Sequence, residues 1–451
     1  MPPQTSVSRA NFHSVALSKS PQPFRVYTAR DLRNIPQLKH MPEAIRFEMQ
    51  VVASVLPFRV NDYVVRELID WRRVPEDSLF QLTFPQKGML SETHYNRMAM
   101  ALRSGLDDAG LRRVAQEIRA SLNPHPAGQL GKNMPVDVQG NPLSGIQHKY
   151  RETVLFFPSQ GQTCHSYCSF CFRWAQFVGD KSLRMSSTEV ERLYDYLRDH
   201  DEVTDLLVTG GDPMVMKSRQ LRHYLEPLLQ PEFSHVQTLR IGTKALTFWP
   251  QRFIADEDSE ELIDLFRQLV RAGKHVAIMA HYNHWRELQT DIARAAVHRL
   301  RAAGVEIRSQ GPLLAHINDD AQDWARLWEE QVRHGIVPYY FFVERDTGAR
   351  NYFEVPLVRA WEIYRDAVQQ VSGLGRTARG PSMSADPGKV EIQGVTQING
   401  QRAFVLRYIQ ARDPTLVQRP FFARYDERAT WFDQLQPFDA DSRRFFQGFS
   451  D

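Results

Sequence analysis

The spacing of the hydrophobic residues changes at about residue 150. Before that point, apolar residues recur at helical intervals over residues 44–55, 61–71 and 93–121. The turn-rich segment 123–128 closes this part. The pattern predicts a mostly helical N-terminal domain over residues 21–145. Residues 1–20 are polar with scattered small apolar side chains, and we interpret them as a disordered arm.

From residue 150 onward, short apolar runs alternate with stretches of helix-spaced apolar residues. The runs are typical of buried parallel strands, and Gly273, Gly304 and Gly335 each follow a helical stretch, as glycine commonly does. Six strand–helix alternations predict a parallel sheet with right-handed crossovers. Because a closed barrel of this type has eight units, we expect an α/β fold with a partial (β/α)6 barrel over residues 146–375. Active-site groups should then lie at the C-terminal ends of its strands. The six predicted strands are residues 154–157, 203–208, 239–241, 275–279, 305–307 and 337–343.

The last part of the chain, residues 376–451, has a different pattern. Val390, Ile392 and Val395 alternate with polar residues and, with the run 404–406, predict a β-hairpin. An aromatic and arginine-rich tail follows. We expect a small β-rich or irregular extension whose tail is a covering flap or a contact between subunits of a homo-oligomer.

Composition and charge narrow the class of protein. Of 451 residues, 42% are hydrophobic, which is enough for a sizeable core. Lys and Arg total 56 against 53 Asp and Glu, and the charges are interspersed, so we expect no nucleic-acid partner. There is no apolar run of transmembrane length and no signal peptide, so we expect no membrane partner and a cytoplasmic protein.

All three cysteines of the chain lie in one short segment, as Cys164, Cys168 and Cys171. Three thiolates on one loop can hold three of the four irons of a 4Fe–4S cluster. The spacing resembles the cluster motif of radical S-adenosylmethionine (SAM) enzymes. That resemblance implies a fourth iron that binds SAM and a 5′-deoxyadenosyl radical formed from it. The alternatives are a zinc site with His165 as fourth ligand, a disulfide with one cysteine left over, or unrelated buried thiols.

Further motifs follow the predicted strands. Gly210 and Gly211 come after the second strand and allow close approach of the backbone to a ligand, and the Asp212 carboxylate could bind the SAM ammonium. A plain turn is the alternative. His281 follows the fourth strand and Gln310 the fifth, and we interpret them as contacts to adenosine and ribose. A solvated or core histidine is the alternative for His281.

The order and spacing of these motifs resemble the lysine 2,3-aminomutase family over residues 40–390. The resemblance implies a radical SAM barrel that moves an amino group between C2 and C3 of an amino acid, with an electron donor such as flavodoxin or ferredoxin. The motifs that carry it are residues 56–60, His148-Lys149-Tyr150, the three cysteines with Arg173, residues 209–213, Ile241-Gly242-Thr243, residues 250–252 and 281–284, Ser309-Gln310 and Tyr339-Tyr340.

The family also binds pyridoxal phosphate (PLP) through a Schiff base to a lysine in a glycine-rich stretch. Here the corresponding residue is Lys389, which a single glycine precedes. The resemblance implies that Lys149 and Tyr150 are PLP neighbours, while Thr153 stands where the family carries an arginine of the phosphate site. The alternatives are a surface lysine in a radical SAM enzyme without PLP, and a non-catalytic metal or cluster protein.

The resemblance also assigns the substrate-binding residues. Arg173 matches the arginine that binds the α-carboxylate of the amino acid; a surface arginine is the alternative. Where the family places an aspartate for the lysine ammonium, this chain has Arg345 between Glu344 and Asp346. Asp386 is a shifted candidate for a second aspartate. We therefore expect a substrate other than L-lysine, with an acidic or neutral side chain near Arg345.

Overall fold

The computed structural model describes residues 24–128, 131–179, 186–187 and 190–447. The disordered arm expected over residues 1–20 lies outside them. The described N-terminal part is mostly helical and contains a small antiparallel pair of strands. Its elements are β1 (Val26–Thr28), α1 (Glu43–Val55), β2 (Arg59–Asn61), α2 (Ser78–Thr83), α3 (Glu92–Arg103) and α4 (Asp108–Ala120).

Two details of the N-terminal prediction were wrong. The stretch 93–121 is two helices, because the chain turns at Gly105, whose φ is +71°, and Asp107 then caps α4 through the backbone amide of Gly110. The stretch 61–71 is helical only over residues 62–68, and its last five residues, Val64–Leu68, form a π-helix. Asn61 ends β2 and caps this helical segment, because its side-chain oxygen accepts a hydrogen bond from the Val64 amide.

In the described part of the chain, eleven strands form one sheet whose spatial order follows the chain. All six predicted strands are present, as β4 to β9. A seventh parallel strand, β10, pairs with β9. The sequence pattern did not predict β10 because it contains Gly380 and Pro381 and lacks an apolar run. The strands are β3 (Ile146–Tyr150), β4 (Thr153–Phe156), β5 (Asp205–Val208), β6 (Thr238–Thr243), β7 (His275–His281), β8 (Glu306–Leu313), β9 (Val337–Val343), β10 (Arg379–Ser384), β11 (Gly388–Ile398), β12 (Gln401–Ala411) and β13 (Pro420–Arg424).

Helices connect the parallel strands. Gly273, Gly304 and Gly335 follow three of them with φ of +90°, +84° and +74°, which confirms the predicted helix ends. Pro356 lies just before the last of these helices. The helices are α5 (Val190–Arg198), α6 (Ser218–Leu225), α7 (Ala245–Phe248), α8 (Ser259–Arg271), α9 (Asp291–Ala302), α10 (Ala321–Arg333), α11 (Arg350–Phe353) and α12 (Leu357–Gln370).

The two ends of the parallel part of the sheet meet through side chains. Within the described residues the end strands β3 and β13 do not pair, so the sheet is not a closed barrel. Lys149 at the end of β3 nevertheless donates a hydrogen bond to the carbonyl of Ala385, 2.5 Å away, in the turn between β10 and β11. Lys132 pairs with Asp386 in the same turn at 3.0 Å. The start of β11 is thereby held beside β3.

The C-terminal extension continues the sheet. β11 and β12 form the predicted hairpin, which turns at Asn399 and Gly400 with φ of +51° and +79°. The aromatic tail folds back onto the hairpin and is buried in a cluster of its own. The clustered tail residues are Phe421, Trp431, Phe432, Leu435 and Phe445.

None of the helices described is both long and apolar enough to cross a membrane.

Candidate active site

The cysteine loop follows β4 and is held by the N-terminal helical part. The backbone amide of Tyr167 donates to the carbonyl of Arg59 at 2.8 Å, and that of Ser169 to the carbonyl of Leu82 at 2.9 Å. The Ser169 hydroxyl bonds the carbonyl of Gln81 at 2.7 Å. Arg59, within the motif 56–60, therefore helps to hold the loop.

Asn61 is the central residue of this support, and its role was missed in the sequence. It is fully buried. Its side-chain amide donates to the carbonyls of His165 (3.3 Å) and Phe248 (2.8 Å), and its backbone amide donates to the Ser166 hydroxyl (3.0 Å). One side chain thus joins β2, the cysteine loop and α7. A lone asparagine in a predicted helix carries no local signal for such a role.

The three thiols are partly buried, and Cys164 lies close enough to the other two to feel their charge. Burial, and then the nearby Asp212 carboxylate and the other two thiols, hold the pKa of Cys164 well above its usual range. Burial likewise raises the pKa of Cys168, and that of Cys171 to about 11. Buried thiolates this close together need positive charge between them. The iron of a cluster would supply it.

The thiols are not arranged for a single ion. Among the described residues, no group of three or more histidine, cysteine or carboxylate side chains is placed to hold one metal ion. A 4Fe–4S cluster makes a different demand, because each thiolate binds a separate iron. The ligands of a cluster therefore surround a group of atoms and lie farther apart than the ligands of one ion. Three partly buried thiols on one loop that is held by the N-terminal part fit that requirement.

Gly210 and Gly211 bring the end of β5 against the start of the cysteine loop. A Cβ at Gly211 would lie 2.5 Å from the carbonyl oxygen of Thr163, and one at Gly210 would lie 2.5 Å from the side-chain nitrogen of Gln162. The amide of Asp212 donates to the Thr163 carbonyl at 2.7 Å. No larger residue fits at either glycine, so the two glycines shape the wall of the site beside Cys164.

The Asp212 carboxylate is buried and already bonded within the protein. It accepts hydrogen bonds from the Thr243 hydroxyl at 2.6 Å and from the backbone amides of Met214 and Lys244, both at 2.9 Å. Burial raises its pKa to about 6, and these bonds act in the opposite direction. Asp212 therefore ties the ends of β5 and β6 together. Its contact with a ligand ammonium stays a prediction.

His281 and Gln310 are brought together as neighbours on β7 and β8. The imidazole of His281 stacks on Phe170 of the cysteine loop, with ring centres 5.9 Å apart. Its Nδ1 is buried and has no hydrogen-bond partner among the described residues. Burial, with a smaller contribution from Lys244, lowers its pKa to about 3, so the ring is neutral. An unsatisfied neutral nitrogen beside the cysteine loop fits a hydrogen bond to a ligand.

Lys244 and Glu287 form a buried ion pair next to the cysteine loop. Their side chains are 9% and 0% exposed, and the Lys244 nitrogen lies 2.7 Å from Glu287 Oε1. Lys244 also donates to the His281 carbonyl at 3.1 Å and to Asn283 Oδ1 at 2.9 Å. The pair fixes the end of β7. No local pattern indicates this pair, since the two residues lie 43 positions apart.

Lys389 is partly buried at the start of β11, not on a surface turn. Its Nζ lies 4.0 Å from the centre of the Tyr340 ring and 5.6 Å from that of Phe342. Burial and then the charges of Arg379, Arg240, Lys149 and Arg345 lower its pKa to about 7. Gly388 is required because a Cβ there would clash with the Gln410 carbonyl of β12.

Lys149 and Tyr150 lie in the same region as Lys389. Burial lowers the pKa of Lys149 to about 7, and the charges of Arg412 and Arg345 add to the effect. Lys149 is bonded to the Ala385 carbonyl, whereas no hydrogen bond holds Nζ of Lys389 within the described structure. Of the two lysines, Lys389 is therefore the available nucleophile.

Arg173 connects the cysteine loop with this cationic region. Its guanidinium lies 4.1 Å from the centre of the Phe157 ring, and its Nη1 is buried without a hydrogen-bond partner in the described structure. Burial lowers its pKa to about 10, and the charge of Arg345 contributes. A buried guanidinium that is not fully satisfied fits a carboxylate ligand.

Glu344 and Asp386 are not free anions, whereas Asp346 has a buried Oδ1 without a hydrogen-bond partner in the described structure. Burial holds the pKa of Glu344 well above its usual range, which favours the neutral acid. Asp386 pairs with Lys132 at 3.0 Å and with Arg412 at 3.6 Å. Arg345 donates to the Ser384 carbonyl at 3.2 Å. The region is dominated by cations.

Comparison with known proteins agrees with this geometry. No protein-family model matches the chain. A protein of Aquifex aeolicus (strain VF5), provisionally described as an L-lysine 2,3-aminomutase, is 30% identical over 413 residues, which are 92% of this chain and 96% of the relative. This chain belongs to the lysine 2,3-aminomutase family. It is accordingly an enzyme of the radical SAM isomerase type.

The family includes members with different substrates in their names. Glutamate 2,3-aminomutase of Clostridioides difficile (strain 630) is 30% identical over 234 residues, which are 52% of each chain. Among solved structures, a radical SAM methyltransferase of Sphaerobacter thermophilus matches with a TM-score of 0.35 and 13% identity, over 62% of this chain and 85% of the other.

Proposed function

We propose that this enzyme is a 2,3-aminomutase that holds PLP on Lys389 and acts on an amino acid other than L-lysine. In this proposal the sheet is a partial (β/α)6 radical SAM barrel, extended at both ends of the chain. Cys164, Cys168 and Cys171 would hold the cluster, and a flavodoxin or ferredoxin would reduce it in the cytoplasm. Gly210, Gly211, Asp212, His281 and Gln310 would line the SAM site.

Lys389 is the observation that carries the proposal. A lysine amine reacts with a carbonyl only in its neutral form. With its pKa lowered to about 7 by burial and by neighbouring cations, a large fraction of Lys389 is neutral at physiological pH. Because Nζ lies over aromatic rings and is bonded to no acceptor in the described structure, nothing must be broken before it reacts.

The remaining residues bind and orient. When bound, the cluster and SAM supply a 5′-deoxyadenosyl radical, and PLP supplies the carbonyl group that carries the substrate's amino group. Arg173 would hold the α-carboxylate, because its Nη1 lacks a partner and its position spans the cysteine loop and Arg345. The rings of Phe157, Tyr340 and Phe342 would exclude water from the reacting atoms.

We also propose that the substrate has an acidic or neutral side chain. A lysine ammonium would meet Arg345 and Lys149, while the carboxyl of Glu344 is held neutral by burial and Asp386 is paired. Arg345 lowers the pKa of Arg173, Lys149 and Lys389 through its charge, so it lies within reach of all three. A side-chain carboxylate would offset this excess of positive charge.

The first test is to locate PLP. The full chain, reconstituted with iron and sulfide under anaerobic conditions, is incubated with PLP, reduced with borohydride and digested. Mass spectrometry should place a phosphopyridoxyl group on Lys389, and Lys389→Ala should lose it. Lys39→Ala, a change in the N-terminal part, serves as control. Labelling elsewhere, or none, would contradict the PLP assignment.

The second test identifies the substrate. Deuterated glutamate, aspartate, glutamine and lysine are each incubated with enzyme, SAM and reductant, and 5′-deoxyadenosine is analysed for deuterium. We expect transfer from an acidic or neutral amino acid, and we expect Arg345→Gln to reduce transfer from the acidic ones. Transfer from lysine alone would refute the substrate class but not the aminomutase.

A radical SAM enzyme without PLP is the second candidate. Thr153 favours this second candidate. Its hydroxyl donates a hydrogen bond to Asp205, and a threonine at this position supplies no positive charge for a phosphate. In that case 5′-deoxyadenosine would form while Lys389→Ala retained full activity.

A further inference from the structure

Among the charged groups around Lys389, the guanidinium of Arg379 has the largest influence on the pKa of the lysine. Its Cζ lies 4.4 Å from the centre of the Tyr339 ring and 4.3 Å from that of Tyr340. Lys389 Nζ lies 4.0 Å from the same Tyr340 ring centre. After burial, the charge of Arg379 is the largest cause of the lowered pKa of Lys389. The two cations therefore share one aromatic side chain.

Arg379 has no carboxylate partner. Among the described residues, no carboxylate oxygen lies within the 4.0 Å that defines an ion pair with its guanidinium. Arg240, the next cation, differs: it forms a two-pronged ion pair with Asp205, with Nε at 2.8 Å from Oδ1. Thr153 donates to the same carboxylate at 2.9 Å. The charge of Arg240 is thus offset within the protein, and that of Arg379 is not.

An uncompensated, partly buried cation costs free energy unless an anion binds to it. The rings of Tyr339 and Tyr340 hold the guanidinium in place by cation–π contact without neutralising it. A phosphate group carries close to two negative charges and suits the planar fork of an arginine. Lys149 lies in the same cationic region and could share such an anion.

We propose that Arg379 binds the phosphate group of the PLP held on Lys389. The inference rests on the proposed function and adds a residue to it. Arg379 lies on β10, the strand that the hydrophobic pattern did not reveal, and it supplies from that strand the positive charge that Thr153 does not.

The test compares ligands with and without phosphate. The full chain is titrated with PLP and with pyridoxal, and binding is followed by absorbance. Arg379→Gln should raise the Kd for PLP about 10- to 100-fold, the range expected for a hydrogen-bonded charge pair. Because the change also raises the pKa of Lys389, the Kd for pyridoxal should rise as well, but by much less than the Kd for PLP. Arg379→Lys should recover part of the affinity, because it keeps the charge but loses the fork.

Controls separate this inference from the proposed function. Arg365→Gln removes an arginine that also lies over an aromatic ring, Trp361 at 4.9 Å, on the distant helix α12, and it should leave PLP binding unchanged. Inorganic phosphate should compete with PLP in the wild type and not in Arg379→Gln; competition in both would overturn the inference.

Two outcomes would distinguish a failure of the role of Arg379 from a failure of the proposed PLP site. Equal affinity of wild type and Arg379→Gln for PLP, or an equal loss of PLP and pyridoxal binding, would refute the role of Arg379 alone. Failure of the wild type to capture PLP at all would refute the proposed PLP site and this inference with it.

Discussion

Asn61 lies 104 residues before His165 in the sequence, yet its side-chain amide donates a hydrogen bond to the His165 carbonyl. The same amide bonds Phe248 in α7. The cysteine loop is therefore positioned by a residue of the N-terminal part, and its geometry depends on that part being folded.

Replacing Asn61 by Ala should destabilise the protein and loosen the cysteine loop. Two buried carbonyls and the amide of Val64 lose their partner, so we expect the free energy of unfolding to fall by about 3 kcal/mol. Urea denaturation measures the change, and iron loss to a chelator should be faster. Asn141→Ala, which removes an exposed side chain bonded to Asp137, should change stability by less than about 0.5 kcal/mol. Equal effects of the two variants would contradict the role of Asn61.

Replacing any one of Cys164, Cys168 or Cys171 by Ala should reduce the iron bound after anaerobic reconstitution. Each thiolate binds a separate iron, so no single variant can keep a complete ligand set. Iron and sulfide are determined chemically, and the cluster is followed by electron paramagnetic resonance after reduction.

Ser169→Ala is the matched control in the same loop. It removes the hydrogen bonds to Gln81 and Leu82 and keeps all three thiols, so it should cost about 1–2 kcal/mol of stability and retain full iron. Full iron in a cysteine variant would show that the thiol concerned is not a ligand.

The rate at which Lys389 captures PLP should rise across neutral pH. Its pKa is lowered from 10.5 to about 7, so the reactive neutral amine grows between about pH 6 and pH 8 and then reaches a plateau. An unperturbed lysine would still be gaining reactivity at about pH 10. Stopped-flow absorbance with the wild type gives the profile. Arg379→Gln removes a cation that lowers this pKa, so its midpoint should move to higher pH; an unchanged midpoint would contradict the electrostatic account.

Glu287→Gln should be strongly destabilising. It leaves the Lys244 ammonium, 9% exposed, without its anion, and breaking one side of a buried pair costs about 3–5 kcal/mol. The exposed pair Lys217–Glu257, with side chains 58% and 91% exposed, is the control, and Glu257→Gln should change stability by less than about 1 kcal/mol. The double variant Lys244→Met with Glu287→Met should recover part of the loss. A small effect of Glu287→Gln would show that Lys244 is stabilised by its two other acceptors.

The sequence by itself determined the alternation of strands and helices, because a run of three to seven mostly apolar residues and a helical stripe are local patterns. It also determined which residues can bear the chemistry: three thiols on one loop, and a lysine followed by an alternating strand. The resemblance of these motifs to known proteins then indicated the family. Local patterns were enough to predict the six strands and the helix ends at Gly273, Gly304 and Gly335.

Only the tertiary structure decided which distant side chains share a space. Arg379 and Lys389 meet over Tyr340 because β10 pairs in parallel with β9, a register that Gly380 and Pro381 conceal in the hydrophobic pattern. Lys149 reaches Ala385 because the sheet brings its ends together. Local spacing specifies which face of an element is buried, whereas the partner of a buried charge depends on strand register and on the path of the whole chain.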